Sequence, residues 1–445
     1  MKKYRIGAIT ESMAATNFYS QTPKDKAMMN LPFALHLRGE MDVKRMENSI
    51  AKVIQQSMFH TYLSFEDGKF FMLDKDAAPF SLESETVEGA SEEEKVAKVT
   101  KAIEELALIP LPLFEKDKDQ YFFRLYEISE TYHILCMIVH HTFLDFGSVM
   151  IAVNEIFAAY RDADYKFPAS EDYSKFSQDE LDFWNTEEGA KEDSYWSKQL
   201  EGFKSFSLTT ETLAEGEEEI SENQCVAVID RADLDKMAKE NRTSVANIAM
   251  LIIHMALAKT DDRNDTLVQY AISNRSDMEY RYSLGCLTRI LCNRVAFDDS
   301  MMVTDLHKLM RKKIGEGYQN RRVAGKTPLG SVPYVVANED MGDIQDTPMF
   351  GGNPVQLDFV DLPRKLNFIG MLIIPLGPDK IGIGLLTDMK AYGKHALAIT
   401  KNILLAEQVL KKYPDKTFGD YMRSDITLET VDKLADADSA EFIEI

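Results

Sequence analysis

The sequence predicts a layered α/β protein built as two lobes. Three observations lead there. Short apolar or alternating runs, the pattern of strands, recur between segments whose apolar residues fall at helical spacing. The chain is 445 residues long, about two to three times an ordinary domain, so two lobes of roughly 200 residues each are expected. The order of helix, strand and loop is also faintly repeated between the two halves.

The first half divides as follows. Residues 30–37 form an apolar strand. Asp42 then caps a helix whose apolar face is Val43, Met46, Ile50, Val53 and Ile54. Residues 59–65 and 69–73 flank Glu66, Asp67 and Gly68, a hairpin in which glycine supplies positive φ. Residues 91–106, rich in Glu and Lys, read as a solvated amphipathic helix. Residues 121–127 and 132–139 are two strands joined by a polar turn, the second apolar enough to lie inside a sheet. His140 and His141 follow it directly. The next helix spans 149–160, with Val149, Val153, Ile156, Phe157 and Tyr160 as its stripe.

A polar stretch over 162–193 reads as the crossing between lobes, and 211–222 as an acidic loop. The second half contains a buried helix at 244–259, a strand at 266–272 and a helix at 304–318. Two late strands follow at 367–374 and 381–386, then a last core helix at 395–411. Beyond Tyr413 the chain is acidic and weakly patterned. The expected divisions are a first lobe at 1–170, a linker at 171–225, a second lobe at 226–430 and a tail at 431–445.

Composition narrows the function. The formal net charge is −22, with 73 acidic against 51 basic side chains. A phosphate-binding surface needs clustered Lys and Arg, so nucleic acid is not the expected partner. Cys136, Cys225, Cys286 and Cys292 are scattered with no CxxC, which suits a reducing cytoplasm better than a zinc site or a disulfide scaffold. Cys286 and Cys292 read as packing residues beside a strand. The N-terminus lacks the apolar core of a signal peptide. The longest apolar stretch, at 245–258, is too short to span a bilayer. A cytoplasmic protein with no membrane contact is expected.

Chemistry concentrates in His140-His141-Thr142-Phe143-Leu144-Asp145-Phe146-Gly147-Ser148. This string ends a strand and opens a helix. The strand fixes position, and free N–H groups at the helix start face whatever docks there. An imidazole can act as a base near neutral pH. Adjacent residues leaving a strand point to opposite sides, so one histidine should face the cavity and the other the interior. For the same reason the pair makes a poor metal site, and no second His, Cys or Asp cluster lies at ligand spacing.

The string resembles the HHxxxDG motif of nonribosomal peptide synthetase condensation domains and their chloramphenicol-acetyltransferase-like relatives. GEMDVKRMENSIAKVIQQSMFHTYLSFEDGKFF resembles that family's first helix, LRTxF-like strand and hairpin. DELDFWNTEEGAKEDSYWSKQLEGF, with Trp184 and Trp196, resembles a linker ending in YWxxxLxG. SNRSDMEYRYSLGCLTRILCNRVAF resembles the second-lobe segment with an Arg, a turn and a strand ending in Arg. There are departures: the glycine after Asp is Phe146, with Gly147 one place later. His60 stands for an Arg, Arg289 for an Asn and Cys292 for a Pro. His140 rather than Asp in the first motif position argues against the heterocyclising branch.

The resemblance implies two chloramphenicol-acetyltransferase-like lobes in a V with a tunnel between them. It implies an acyltransferase that joins an acyl or aminoacyl thioester, carried on the phosphopantetheine of a peptidyl or acyl carrier protein, to an amine or hydroxyl. That nucleophile is a small molecule or is itself carrier-bound. No bound cofactor is implied. His141 would deprotonate or position the nucleophile, and His140 would support it. Asp145 would hold the loop through a salt bridge, with Arg275 as its partner. The N–H groups near Gly147 and Ser148 would help an oxyanion. Lys308, Arg311, Lys312, Lys313, Arg321, Arg322 and Lys326, against the single acid Glu316, suggest a dock for an acidic carrier protein. An acyltransferase using soluble acyl-CoA is the alternative enzyme. A non-catalytic docking module, favoured by Phe146, is the alternative from another class.

Overall fold

The structure is a computed structural model and describes residues 2–204, 221–322, 334–337, 348–360, 362, 369–376 and 379–423. In chain order the first part comprises β1 (Lys3–Arg5), α1 (Ala8–Tyr19), α2 (Pro23–Ala27), β2 (Asn30–Arg38), α3 (Val43–Ile54), β3 (Thr61–Glu66) and β4 (Lys69–Asp74). It continues with β5 (Glu83–Thr86), α4 (Glu92–Ala107), β6 (Tyr121–Ser129), β7 (Tyr132–His140) and α5 (Phe146–Arg161). Asp42 caps α3 by accepting from the Arg45 N–H, and Ser91 caps α4 by accepting from Glu94. In the β3–β4 hairpin both Asp67 and Gly68 take positive φ, so the turn relies on aspartate as well as glycine.

β7 organises this lobe. Its neighbours are β2 and β6, both antiparallel to it, in a sheet ordered β2-β7-β6-β5 that a later strand joins at the β2 edge. Every residue of β7 is buried, because both faces are covered. Leu135, Met137 and Val139 enter the core shared with α3 and α5, while Ile134, Cys136 and Ile138 enter a second core under α4. Two-residue alternation with apolar side chains on both faces is what an interior strand requires.

The polar stretch expected to be a plain crossing holds two helices, α6 (Tyr173–Phe183) and α7 (Glu187–Leu200). Asp172 and Thr186 cap them. Buried Tyr173, Phe176, Ser177 and Glu180 fall at helical spacing on α6, a stripe hidden in the sequence by its charged neighbours. Tyr173 and Phe176 belong to the first core, whereas Trp196 of α7 belongs to the second. The helices thus carry the chain from one lobe to the other.

The second lobe contains β8 (Ser221–Asp230), α8 (Arg231–Glu240), α9 (Val245–Thr260), β9 (Asp265–Ile272), β10 (Arg289–Ala296), α10 (Val303–Gln319) and β11 (Tyr334–Ala337). After them come β12 (Met349–Phe350), β13 (Asn353–Pro354), β14 (Gln356–Phe359), β15 (Gly370–Pro375), β16 (Lys380–Asp388), α11 (Met389–Lys412) and α12 (Phe418–Arg423). Among the described residues six strands form its sheet, in the order β10-β9-β11-β15-β16-β8. α9 is apolar on all sides and accordingly buried from Ile248 to Ala258. Among the described residues no single helix is long and apolar enough to cross a membrane.

Two segments depart from the expected division. β14 leaves the second lobe and pairs with β2, Phe359 opposite Phe33, as an edge strand of the first sheet. The weakly patterned stretch after Tyr413 includes α12, whose Phe418 and Tyr421 are fully buried. Their apolar spacing is too short to stand out in an acidic sequence. Residues 205–220, which cover most of the acidic loop, and the tail at 431–445 lie outside the described residues, as does Lys326.

Candidate active site

The site forms where β7 ends and α5 begins, against a segment of the second lobe between β9 and β10. The His141 N–H donates to the Met29 carbonyl at 2.9 Å, which ties the end of β7 to the residue preceding β2. His140 is wholly buried. Its Nδ1 accepts from the Thr142 N–H at 3.2 Å, so the neutral ring carries its proton on Nε2. Burial, followed by the neighbouring His141, pushes the His140 pKa down to about 3. His140 is therefore an uncharged packing group at neutral pH. His141 is half-buried, and its Nδ1 lies 3.9 Å from Cys286 Sγ of the second lobe. The two histidines splay, as residues leaving a strand must.

Asp145 is 1% exposed and caps α5. Its Oδ1 accepts from Arg275 Nη2 at 2.7 Å and from the Ser148 N–H at 2.8 Å. Its Oδ2 accepts from Arg275 Nη1 at 2.9 Å, the Leu287 N–H at 2.8 Å, the Thr288 N–H at 3.0 Å and Thr288 Oγ1 at 3.2 Å. Burial alone would raise this carboxyl; the Arg275 charge and these hydrogen bonds outweigh it and hold the pKa below the ordinary value. One carboxylate thus joins the start of α5 to two separate segments of the other lobe. Because Asp145 is the cap, α5 starts at Phe146, three residues before the helix read from the apolar stripe.

Gly147 and Ser148 complete the joint. A Cβ on Gly147 would lie 2.8 Å from Arg275 Nη1, so the guanidinium packs where a side chain would stand. Ser148 Oγ donates to the Gly285 carbonyl at 2.6 Å and accepts from the Gly285 N–H at 2.9 Å and Arg275 Nη2 at 2.6 Å. Its own N–H is engaged by Asp145, so Ser148 does not present that donor to an oxyanion. Phe146 packs its ring against Phe33, with centroids 6.1 Å apart.

Sequence reasoning passed over a second buried ion pair. Arg289, at the start of β10, meets Glu180 of α6 at 2.6 Å, with both side chains 3% exposed, and its guanidinium stacks on Phe176 at 4.7 Å. The substitution of Arg for the family's Asn was visible in the sequence. Its acidic partner could have been found only from the helical stripe of α6.

The basic run divides between two surroundings. Arg311 donates to the Arg242 carbonyl at 3.0 Å, and Lys312 and Lys313 lie 3.9 and 3.5 Å from Glu316. Arg321 pairs with Asp277 at 3.3 Å and stacks over Tyr318, while Arg322 stacks on Phe183 at 3.9 Å. The two tryptophans of the crossing hold this end of α10: Trp196 Nε1 donates to the Asn320 carbonyl at 2.7 Å and Trp184 Nε1 to the Arg322 carbonyl at 3.2 Å.

The sequence model described as "Condensation domain" matches residues 14–337. A plipastatin synthase of Bacillus subtilis (strain 168) is 21% identical over 337 residues, 71% of this chain and 13% of that protein. Bacitracin synthase 1 of Bacillus licheniformis is 22% identical over 66% of this chain and 5% of that protein. The chain therefore spans only a small part of the length of these relatives. Among solved structures, the first condensation domain of the calcium-dependent antibiotic synthetase with a substrate analogue superposes with a TM-score of 0.76. It is 14% identical, and the match covers 94% of this chain and 98% of that one. The X-domain from teicoplanin biosynthesis superposes with a TM-score of 0.69 at 16% identity, covering 94% of this chain and 97% of that one. These likenesses place the fold among mixed α/β proteins of two chloramphenicol-acetyltransferase-like lobes.

Proposed function

The chain belongs to the condensation-domain family, and from that premise we propose that it joins a carrier-bound acyl or aminoacyl thioester to an amine in the assembly of a nonribosomal peptide or related product. The observation that carries this reading is His141: a half-buried imidazole on a strand end, at the junction of the lobes, beside a joint made rigid by Asp145 and Arg275. Holding a reacting group in fixed geometry supplies much of the rate of a two-substrate transfer.

In the proposed reaction the amine nitrogen attacks the thioester carbonyl and a C–N bond forms. His141 accepts a proton from that nitrogen. The tetrahedral intermediate then expels the phosphopantetheine sulfur as the C–S bond breaks, and the proton passes to the departing thiolate. His140, neutral and buried, supports the ring beside it. Gly147 seats Arg275, and Asp145 keeps the loop in place. The carrier protein is proposed to approach the side bearing Arg311, Lys312, Lys313, Arg321 and Arg322. Local positive charge there would steer an acidic partner toward a chain of net charge −22.

The test is product formation from a carrier-loaded donor, a small thioester mimic and acyl-CoA, in wild type and in His141→Ala. Turnover is expected with the carrier-loaded donor and the mimic, and His141→Ala should lower it by about two to four orders of magnitude. Charge reversal at Arg311, Lys312 and Arg321 should weaken turnover with the carrier-loaded donor alone. Efficient turnover of acyl-CoA without a carrier would favour the soluble-donor enzyme. No turnover by the folded protein with any donor would favour the docking module.

A further inference from the structure

The proposed reaction leaves Cys286 unused, yet this residue places a second-lobe sulfur beside His141. Sγ lies 3.9 Å from His141 Nδ1, within the long range of sulfur hydrogen bonds. The cysteine is buried, with neighbours fixed on either side. Gly285 is bound through both its N–H and its carbonyl to Ser148 Oγ, and the Leu287 N–H is bound to Asp145. Tyr173 closes the other side: a Cβ on Gly285 would lie 2.3 Å from its ring. The Tyr173 hydroxyl is itself held, 2.6 Å from Thr10 Oγ1. The thiol is therefore held beside the histidine by the same network that joins the lobes.

We propose that Cys286 is a positioning residue whose thiol sets the tautomer and the ring orientation of His141. This rests on the reading of His141 as the group that takes the proton. The two imidazole nitrogens lie on opposite sides of the ring, so an Nδ1 directed at Sγ turns Nε2 away from the second-lobe wall. If Nδ1–H donates to Sγ, Nε2 keeps the lone pair needed to accept a proton. The sulfur accepts that bond while keeping its own proton, so the thiol and the ring have consistent roles. Cys286 is not itself a nucleophile. Burial, then the charge of Asp145, pushes its pKa up to about 12, so it persists as the thiol.

The experiment pairs a structural readout with a kinetic one. Nitrogen-15 spectra of histidine-labelled protein report the tautomer of each ring, and His141→Ala identifies the His141 signals by their loss. At about pH 8, where a free imidazole is neutral, wild type should show the Nδ1–H tautomer. Cys286→Ala should move the signals toward a mixture, and Cys286→Ser, which retains a hydrogen-bonding hydroxyl, should restore them. With the small thioester mimic, Cys286→Ala should lower kcat roughly three- to tenfold, the worth of one modest hydrogen bond, with KM unchanged and with recovery in the serine variant. An unchanged tautomer in Cys286→Ala overturns the proposal whatever happens to the rate, as does an Nε2–H tautomer in wild type. Full activity in His141→Ala would instead remove the catalytic reading of His141 and leave the tautomer result to judge Cys286 separately. If Cys286→Ala fails to fold, Cys286→Val gives the same comparison without a cavity.

Discussion

Replacing Asp145 by alanine removes the carboxylate that joins the two lobes, and its effect can be worked out from the contacts. Six hydrogen bonds end on this group: two from Arg275, three from backbone N–H groups and one from the Thr288 hydroxyl. Breaking a buried ion pair by removing one partner costs about 3–5 kcal/mol, because the other charge is stranded. The unpaired N–H groups would add about 1–3 kcal/mol each if they stayed dry; water entering the vacated space offsets much of this, so about 3–5 kcal/mol is the expected loss. For a cooperative unit of 150–250 residues, about 2–4 °C per kcal/mol gives a fall in Tm of about 6–20 °C. Thermal and urea unfolding followed through Trp184 and Trp196 would measure it. The double variant Asp145→Ala, Arg275→Ala should lose less than the sum of the two single losses, since it removes the stranded charge. The Asp145 pKa is depressed in the folded state, so its stabilisation is present above the unfolded value, about 3.9, and is lost as pH falls through the folded pKa. The gap between wild type and variant should hold from neutral pH down to about 4 and close only below that. A Tm within about 1 °C of wild type would overturn this account, and an equally stable but inactive protein would assign Asp145 a chemical role.

The same joint and the helix behind it yield two more expectations. Alanine for glycine inside a helix ordinarily stabilises by about 1 kcal/mol; Gly147→Ala should instead destabilise by about 1–3 kcal/mol, because its Cβ would lie 2.8 Å from Arg275 Nη1. A raised Tm in that variant would show that the guanidinium can shift freely. Glu155, buried on α5 and bonded to Gln56, has its pKa raised by burial to about 7 from an ordinary 4.5. Its contribution is fully present below about pH 4.5 and is lost as pH rises through about 7, by up to about 3 kcal/mol. Glu155→Gln should match wild type near pH 4 and exceed it in Tm above about pH 7, and equal melting at both pH values would count against the buried carboxyl.

Much of the site was legible because its signals are local. An apolar run ending in paired histidines identified the strand and the place of the candidate site, and strand geometry alone required the two rings to part. Asp42 announced its helix by residue type and spacing, since a cap acts on N–H groups two or three residues away. The crossing helices were harder: on α6 the buried stripe includes Ser177 and Glu180, so hydrophobicity understates its amphipathic character.

Short-range order in the chain dictates the alternation of strands and helices, the interior strand that ends at His140, and the helix that starts directly after the candidate site. Those properties depend on steric and hydrogen-bonding preferences among residues a few positions apart. Long-range packing alone brings Glu180 to neutralise Arg289, returns β14 to the first sheet, and sets Cys286 against His141. These partners are separated by 109, 320 and 145 residues in the chain, taking Arg289 to Glu180, His36 to Gln356 of β14 and Cys286 to His141. No local preference reaches so far. What brings such residues together is the burial of two cores against one another, which leaves each enclosed charge or polar atom to find its partner across the joint.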